Sequence, residues 1–161
     1  MGDTAADQEG EKELDVNDKE YLRMIKTYIL ADKLQDNQTV DLIMDALVSF
    51  YDWSGLIPGA SIISFVWNHD AKAIELVRRL IIDMYVRDAP TAAFEDLEEE
   101  DGVGVPPQFL YMVLKKKAEL EMKHDLRKIG EVFTSEAITT NRCQYHRHDE
   151  EKCAWKSGRD R

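Results

Sequence analysis

The residue types best able to do chemistry lie close together near the C-terminus. Cys143-Gln-Tyr-His146-Arg-His148-Asp-Glu-Glu-Lys-Cys153 sets four soft or borderline donors within eleven residues. Zinc takes four nitrogen or sulfur ligands in a tetrahedron, and short spacings close such a loop at small entropic cost. Cys143 and His146 are three apart, which suits a turn, and His146 and His148 are two apart, so an extended segment points both to one side. Asp149, Glu150 and Glu151 add a field that favours a cation. The order C-x2-H-x-H-x4-C is not a finger or ribbon spacing. Three readings therefore stand side by side: a zinc site made by Cys143, His146, His148 and Cys153; a free cysteine pair with surface histidines; or a disulfide. A Cys143–His146 nucleophile is a further alternative. It lacks a pocket and a source of oxyanion stabilisation in so polar a tail, so the expectation is a chain that is not an enzyme.

Other candidates have plainer explanations. Gly102-Val-Gly104 resembles the start of a phosphate loop, but Val105-Pro106-Pro107 follows, and prolines lack the N–H groups that cradle phosphate. His69-Asp70 reads as a residue pair beside a helix cap, and His124 as a surface residue among charges. Lys115, Lys116 and Lys117 open a basic helix face continued by Lys123, Arg127 and Lys128 and diluted by Glu119, Glu121 and Asp125. Such a face is either a solvated surface or a contact for acidic groups, including the chain's own. Trp53 and Trp67 read as core or helix-packing residues; Trp155 reads as an aromatic that docks back on the domain.

The elements that must position these residues are helical. Residues 1–18 read as a disordered acidic tail. A first helix runs from about Lys19 to Leu34, with Leu22, Ile25 and Ile29 in a stripe and Tyr21 and Tyr28 beside it. Asp36-Asn37 supplies a turn and a cap. The second helix, about Gln38 to Tyr51, carries Val40, Ile43, Met44, Leu47, Val48 and Tyr51 at helical spacing. Leu42, Ala46 and Phe50 form a second apolar row, so this helix should be central in its domain. Gly55, Pro58 and Gly59 break the chain. Residues 60–67 fit either a strand or a short buried helix, and the helical context favours the helix. Asp70 is placed to cap the next helix, about Ala71 to Asp88. Its core face is Ile74, Val77, Leu80, Ile81, Met84 and Tyr85, with Lys72, Arg78, Arg79 and Arg87 largely off it. After the acidic stretch from Glu95 to Asp101, Pro106 and Pro107 sit where a helix start tolerates proline. Phe109, Leu110, Val113 and Leu114 open that helix, and Leu120, Met122, Leu126, Ile129 and Phe133 continue it.

The fold class is thus mainly α, an irregular bundle of about five helices over residues 19–133, between an acidic N-terminal tail and a polar Cys/His-containing tail over 134–161. The 161 residues are enough for one compact domain with its own core. A formal net charge of −11 repels phosphate backbones, which argues against nucleic acid as a partner. No window approaches an uninterrupted apolar span, which argues against a membrane crossing. The acidic N-terminus has no apolar h-region, and there are only two cysteines. An intracellular place, cytoplasmic or nuclear and reducing, is the expectation.

Several segments together resemble fungal BTB/POZ-domain proteins. Tyr28-Ile-Leu-Ala-Asp-Lys-Leu34, followed by Leu42-Ile-Met-Asp-Ala-Leu47, is similar to the closing helices of that domain, so residues 19–53 correspond to them. Glu75-Leu-Val-Arg-Arg-Leu-Ile-Ile-Asp-Met-Tyr-Val86, Val105-Pro-Pro-Gln-Phe-Leu110 and Cys143-Gln-Tyr-His-Arg-His148 are similar, in the same order, to the family's downstream helical region, here 60–133, and its ending. The strands that open the family's domain have no counterpart, since an acidic tail precedes Lys19; the chain reads as a shortened relative or a truncated gene. The resemblance implies a protein–protein interaction module with an adaptor-like role. Its partners would be proteins, either a second copy of the chain or a ubiquitin-ligase component. It also implies that an apolar patch is left exposed on the first two helices, where the family's strands would pack.

Overall fold

The computed structural model describes residues 16–70, 72–89, 93–94, 97, 104–123 and 142–147. Five α-helices are bounded within them: α1 (Val16–Lys33), α2 (Asn37–Ser54), α3 (Ala60–Trp67), α4 (Glu75–Asp88) and α5 (Pro107–Lys123). A short 3-10 turn, Arg142–Tyr145, follows. There is no strand among the described residues. The mainly helical class expected from the spacing is therefore what forms, and residues 60–67 are a helix. Of the tail expected over 1–18, residues 16–18 belong to α1; residues 1–15, the helix continuation beyond Lys123, and Trp155 lie outside the described residues.

α1 and α2 form an antiparallel hairpin. The join is a left-handed turn: Gln35 has φ 57°, its N–H donates to Asp32 O at 3.0 Å, and Asp36 N–H donates to Ala31 O at 3.0 Å. Those paired bonds close the C-terminus of α1 by satisfying carbonyls that the helix leaves open. Asp36 then caps α2, accepting from Thr39 N–H at 3.0 Å. The two bonds from Thr39, through its hydroxyl and its N–H, hold the Asp36 carboxyl below the usual carboxylate range. At the far end, Gly55 closes α2 with φ 66° and donates its N–H to Tyr51 O at 2.8 Å.

α1 begins at Val16, earlier than the expected Lys19, because Asp18 has a structural task. Its carboxylate accepts from Gly59 N–H at 3.1 Å, and Tyr21 OH donates to Leu56 O at 2.7 Å. Tyr85 OH, from α4, donates to Pro58 O at 2.6 Å. The loop that Gly55, Pro58 and Gly59 mark in the sequence is thus tied to α1 and α4 by side chains, which satisfies backbone groups that regular structure does not reach.

The core runs through all five helices. Ile25 and Tyr28 of α1, Val40, Met44, Leu47 and Val48 of α2, Ile62, Ile63 and Val66 of α3, and Val77, Leu80, Ile81 and Met84 of α4 are buried. Phe109 anchors α5, with its ring 5.0 Å from Trp67 and 4.9 Å from Tyr85 in edge-on contacts. From the acidic stretch, Leu97 is buried and Phe94 packs 5.8 Å from Tyr85. On α1 the tyrosines, not Leu22 and Ile29, occupy the deepest positions; those two are only partly covered.

Four sequence expectations are corrected. Asp70 accepts from Lys72 N–H at 3.0 Å and so caps a turn, and α4 starts later, at Glu75. Arg78 is buried, 6% exposed, instead of lying off the core face. Its guanidinium donates to the carbonyls of Val66, Trp67 and His69 at 3.2, 3.0 and 2.9 Å. It neutralises the negative end of α3 and satisfies the last carbonyls there. Trp53 is 84% exposed, not core. The second apolar row of α2 is not enclosed either, with Leu42 at 61%; α2 is an outer helix.

Candidate functional site

Residues 142–147 return to the helical body and lie in a seam bordered by α1, α2 and α4. The anchor is Tyr145, fully buried, whose OH donates to Asp83 Oδ2 at 2.7 Å. Asp83 is itself buried at 4% exposure, in the middle of α4. Its other oxygen is ion-paired with Lys116 of α5. A carboxylate taken out of water is costly unless charge and hydrogen bonds compensate, and here a cation and a phenol do so. Burial, and then the Asp83 charge, pushes the Tyr145 phenol well above its ordinary pKa, so it remains a donor across the physiological range.

Charged contacts fasten both ends. Arg142 Nη1 donates to Ser49 Oγ at 2.8 Å. The ring of His146, whose side chain is 4% exposed, sets Nε2 3.1 Å from Asp45 Oδ1. Arg147 donates its N–H to Asp41 Oδ1 at 2.9 Å, pairs through its guanidinium with Asp32, and lies 5.8 Å from the Tyr28 ring centre. Within the segment, His146 N–H donates to Cys143 O at 3.1 Å. The carboxylates belong to α1, α2 and α4; residues 142–147 supply Arg142 and Arg147, and α5 supplies the cation on Asp83, Lys116.

Of the four donors that the sequence singled out, Cys143 and His146 are described, and His148 and Cys153 lie outside the described residues. Cys143 is buried, and its sulfur is held in a disulfide. The chain has two cysteines. Zinc binds thiolate, so a zinc site at Cys143 would need the reduced form. His146 is not a surface histidine; its ring is enclosed and turned onto Asp45. His69 donates Nδ1–H to Phe65 O at 2.9 Å and packs on the Phe65 ring, which fits the plain reading of His69 beside a helix end. Lys116 uses the basic face of α5 against the chain's own Asp83, and Lys117 sits 5.3 Å over the Phe94 ring.

The second feature is the outward face of α2. Leu42, Ala46 and Trp53 recur at helical spacing on the side opposite Val40, Met44 and Val48. All three are exposed, and Phe50 is half-buried at the edge of the row, its ring 6.5 Å from Trp53 and 5.0 Å from Tyr21. Leu30 and Leu34, at the end of α1 beside the hairpin turn, are 57% and 70% exposed. Scattered exposed leucines are ordinary, but an aligned row that ends in a tryptophan is not.

A cleft of about 720 Å³ opens beside Arg147, with Asp32, Asp70, Lys72 and Glu75 on its walls. A second, of about 500 Å³, lies between α4 and α5 and is lined by Arg79, Ile82, Tyr111, Met112 and Lys115. No described helix is long and apolar enough to cross a membrane. Comparison of the chain with protein-family models, with curated proteins and with solved structures finds no match.

Proposed function

We propose that the chain is a protein-interaction module, and that the outward row of α2 is the surface it offers to a second copy of itself. The observation that carries the reading is the row Leu42–Ala46–Trp53, with Trp53 84% exposed. Large aromatics flanked by aliphatic side chains are the usual anchors of protein interfaces.

The occupant follows from the symmetry of the row. Leu42 and Trp53 are equally far from a point between Leu47 and Val48, and Ala46 and Ser49 are likewise equally far from it. When two such helices cross antiparallel about a two-fold axis, Leu42 of each faces Trp53 of the other, and the small Ala46 and Ser49 meet at the centre. Twofold interfaces require self-complementarity of this kind. Small central residues let helix axes approach closely, while the large outer pairs fill the flanks. The edge bearing Asp45 and Arg142 would form a polar rim.

The resemblance to fungal BTB/POZ proteins supports the class of function, because it implies a binding module with exposed apolar surface on these two helices. It also implies the competing occupant, a ubiquitin-ligase component, as part of an adaptor-like role.

Sedimentation velocity over a concentration series tests the reading. Wild-type protein is expected to shift from one copy to two as concentration rises. Leu42→Glu and Trp53→Glu, both at exposed positions, are expected to abolish the shift without unfolding the chain. A chain that stays single at high micromolar concentration, or variants that associate like wild type, would remove the second copy as occupant.

A further inference from the structure

We infer that the seam between α1, α2 and α4 is a peptide-recognition site for a basic, tyrosine-centred segment of the pattern Arg-x-x-Tyr-His-Arg, and that residues 142–147 are its resident ligand. The seam adjoins the α2 outward row at Ser49, which receives Arg142 Nη1 at 2.8 Å, and its floor is Asp83 of α4.

Three observations carry it. The first is charge. The seam presents Asp32, Asp41 and Asp45 beside an Asp83 already paired with Lys116, and the segment brings the guanidinium of Arg147, paired with Asp32, and that of Arg142, set on Asp45 O and Ser49 Oγ. Acidic walls that receive a basic segment are complementary in the manner of motif-binding sites. The second is specificity. A buried carboxylate receives a phenolic O–H at 2.7 Å, with Lys116 on its other oxygen. A phenylalanine at that place would leave an acceptor of Asp83 unmatched, so the site selects tyrosine. The third is the mode of attachment. The partners are 62 to 119 residues away in sequence, and the segment holds them mostly with side chains, burying Cys143, Tyr145 and the ring of His146. A segment held by a buried tyrosine anchor and polar clamps is bound as a ligand is bound, with the anchor supplying most of the affinity. Its local concentration is high because it is tethered, so it masks the site against outside peptides until they compete with it.

The test uses the full chain with its own segment disabled by Tyr145→Ser and Arg147→Glu, and a fluorescein-labelled peptide Arg-Ser-Gln-Tyr-His-Arg, followed by anisotropy. The doubly substituted chain is expected to bind the peptide at least about tenfold more tightly than wild type, whose site is filled. Raising the salt concentration weakens that binding. Adding Asp83→Asn, or replacing the peptide's tyrosine by phenylalanine, lowers it by about tenfold. Equal binding to wild type and to the folded variant, or indifference to the tyrosine, overturns the inference. Should the variant not fold, hydrogen exchange of the wild-type chain decides. The Cys143–Arg147 amides are expected to open well before those of α4; opening together with α4 overturns the proposal, because such a segment would be core instead of ligand.

Discussion

Tyr145 and Asp83 stand 62 residues apart in the chain, and a 2.7 Å hydrogen bond joins them in its interior. That bond fixes the C-terminal segment to the middle of α4. It also explains how an aspartate is tolerated among Leu80, Ile81, Ile82, Met84 and Tyr85. Replacing Tyr145 by Phe removes the donor and leaves the packing, and is expected to cost about 1.5–3 kcal/mol, the range for a hydrogen bond to a charged group. Asp83→Asn should cost a similar amount, because it also leaves Lys116 without its counter-charge. Urea unfolding of the two single variants and the double variant gives the coupling: the double variant is expected to lose clearly less than the two single losses combined.

Arg78 closes the end of α3. Arg78→Met keeps much of the aliphatic stem but abandons the carbonyls of Val66, Trp67 and His69. The expected loss is about 2–3 kcal/mol, with Arg78→Lys recovering only part of it because one ammonium cannot span three acceptors in the guanidinium's fork. Thermal unfolding of the three proteins measures this.

Gln35 offers a gain. Its φ of 57° is a conformation that side chains with a Cβ adopt at a cost and glycine adopts freely. Gln35→Gly is expected to raise stability by about 0.5–1 kcal/mol, read as a higher urea midpoint at unchanged slope.

Alkaline conditions should unfold the chain through its tyrosines. Burial raises the phenol pKa of Tyr21, Tyr51 and Tyr145, with the charges of nearby Asp18, Asp88 and Asp83 adding to it. A group whose folded pKa is raised contributes stability that is complete below its unfolded value, about 10 for tyrosine, and is lost as pH climbs above it. Stability should therefore be flat in this respect up to about pH 9 and fall steeply beyond about pH 10. Absorbance at the phenolate band, followed against pH together with circular dichroism, checks it: these tyrosines should ionise only as helicity is lost.

Much of the helical frame was legible in the sequence, because α2 and α4 carry long apolar stripes at a period that only a helix satisfies. Glycines and prolines likewise marked the breaks. What was not legible has a common cause. Charged residues inside a helix read as solvated, and Arg78 and Asp83 are not, because distant carbonyls, Lys116 and Tyr145 compensate them. A hint was present for Asp83: Leu80, Ile81 and Ile82 before it and Met84, Tyr85 and Val86 after it are all apolar. The segment around Tyr145 hid for the same reason, since a tail of mostly polar residues shows no periodicity even when one side chain in it is an anchor. Trp53 and Leu42 were read as buried because periodicity reports that a helix has two apolar sides without reporting whether anything covers both.

The proposed meeting of α2 with another copy of the chain through Trp53 is read by hydroxyl-radical footprinting of Trp53 against protein concentration. Oxidation at Trp53 is expected to be rapid at nanomolar concentration, in keeping with its 84% exposure, and to fall several-fold at high micromolar concentration while exposed Met122 of α5 reacts unchanged. Oxidation of Trp53 that keeps the same rate across the whole series would contradict the claim.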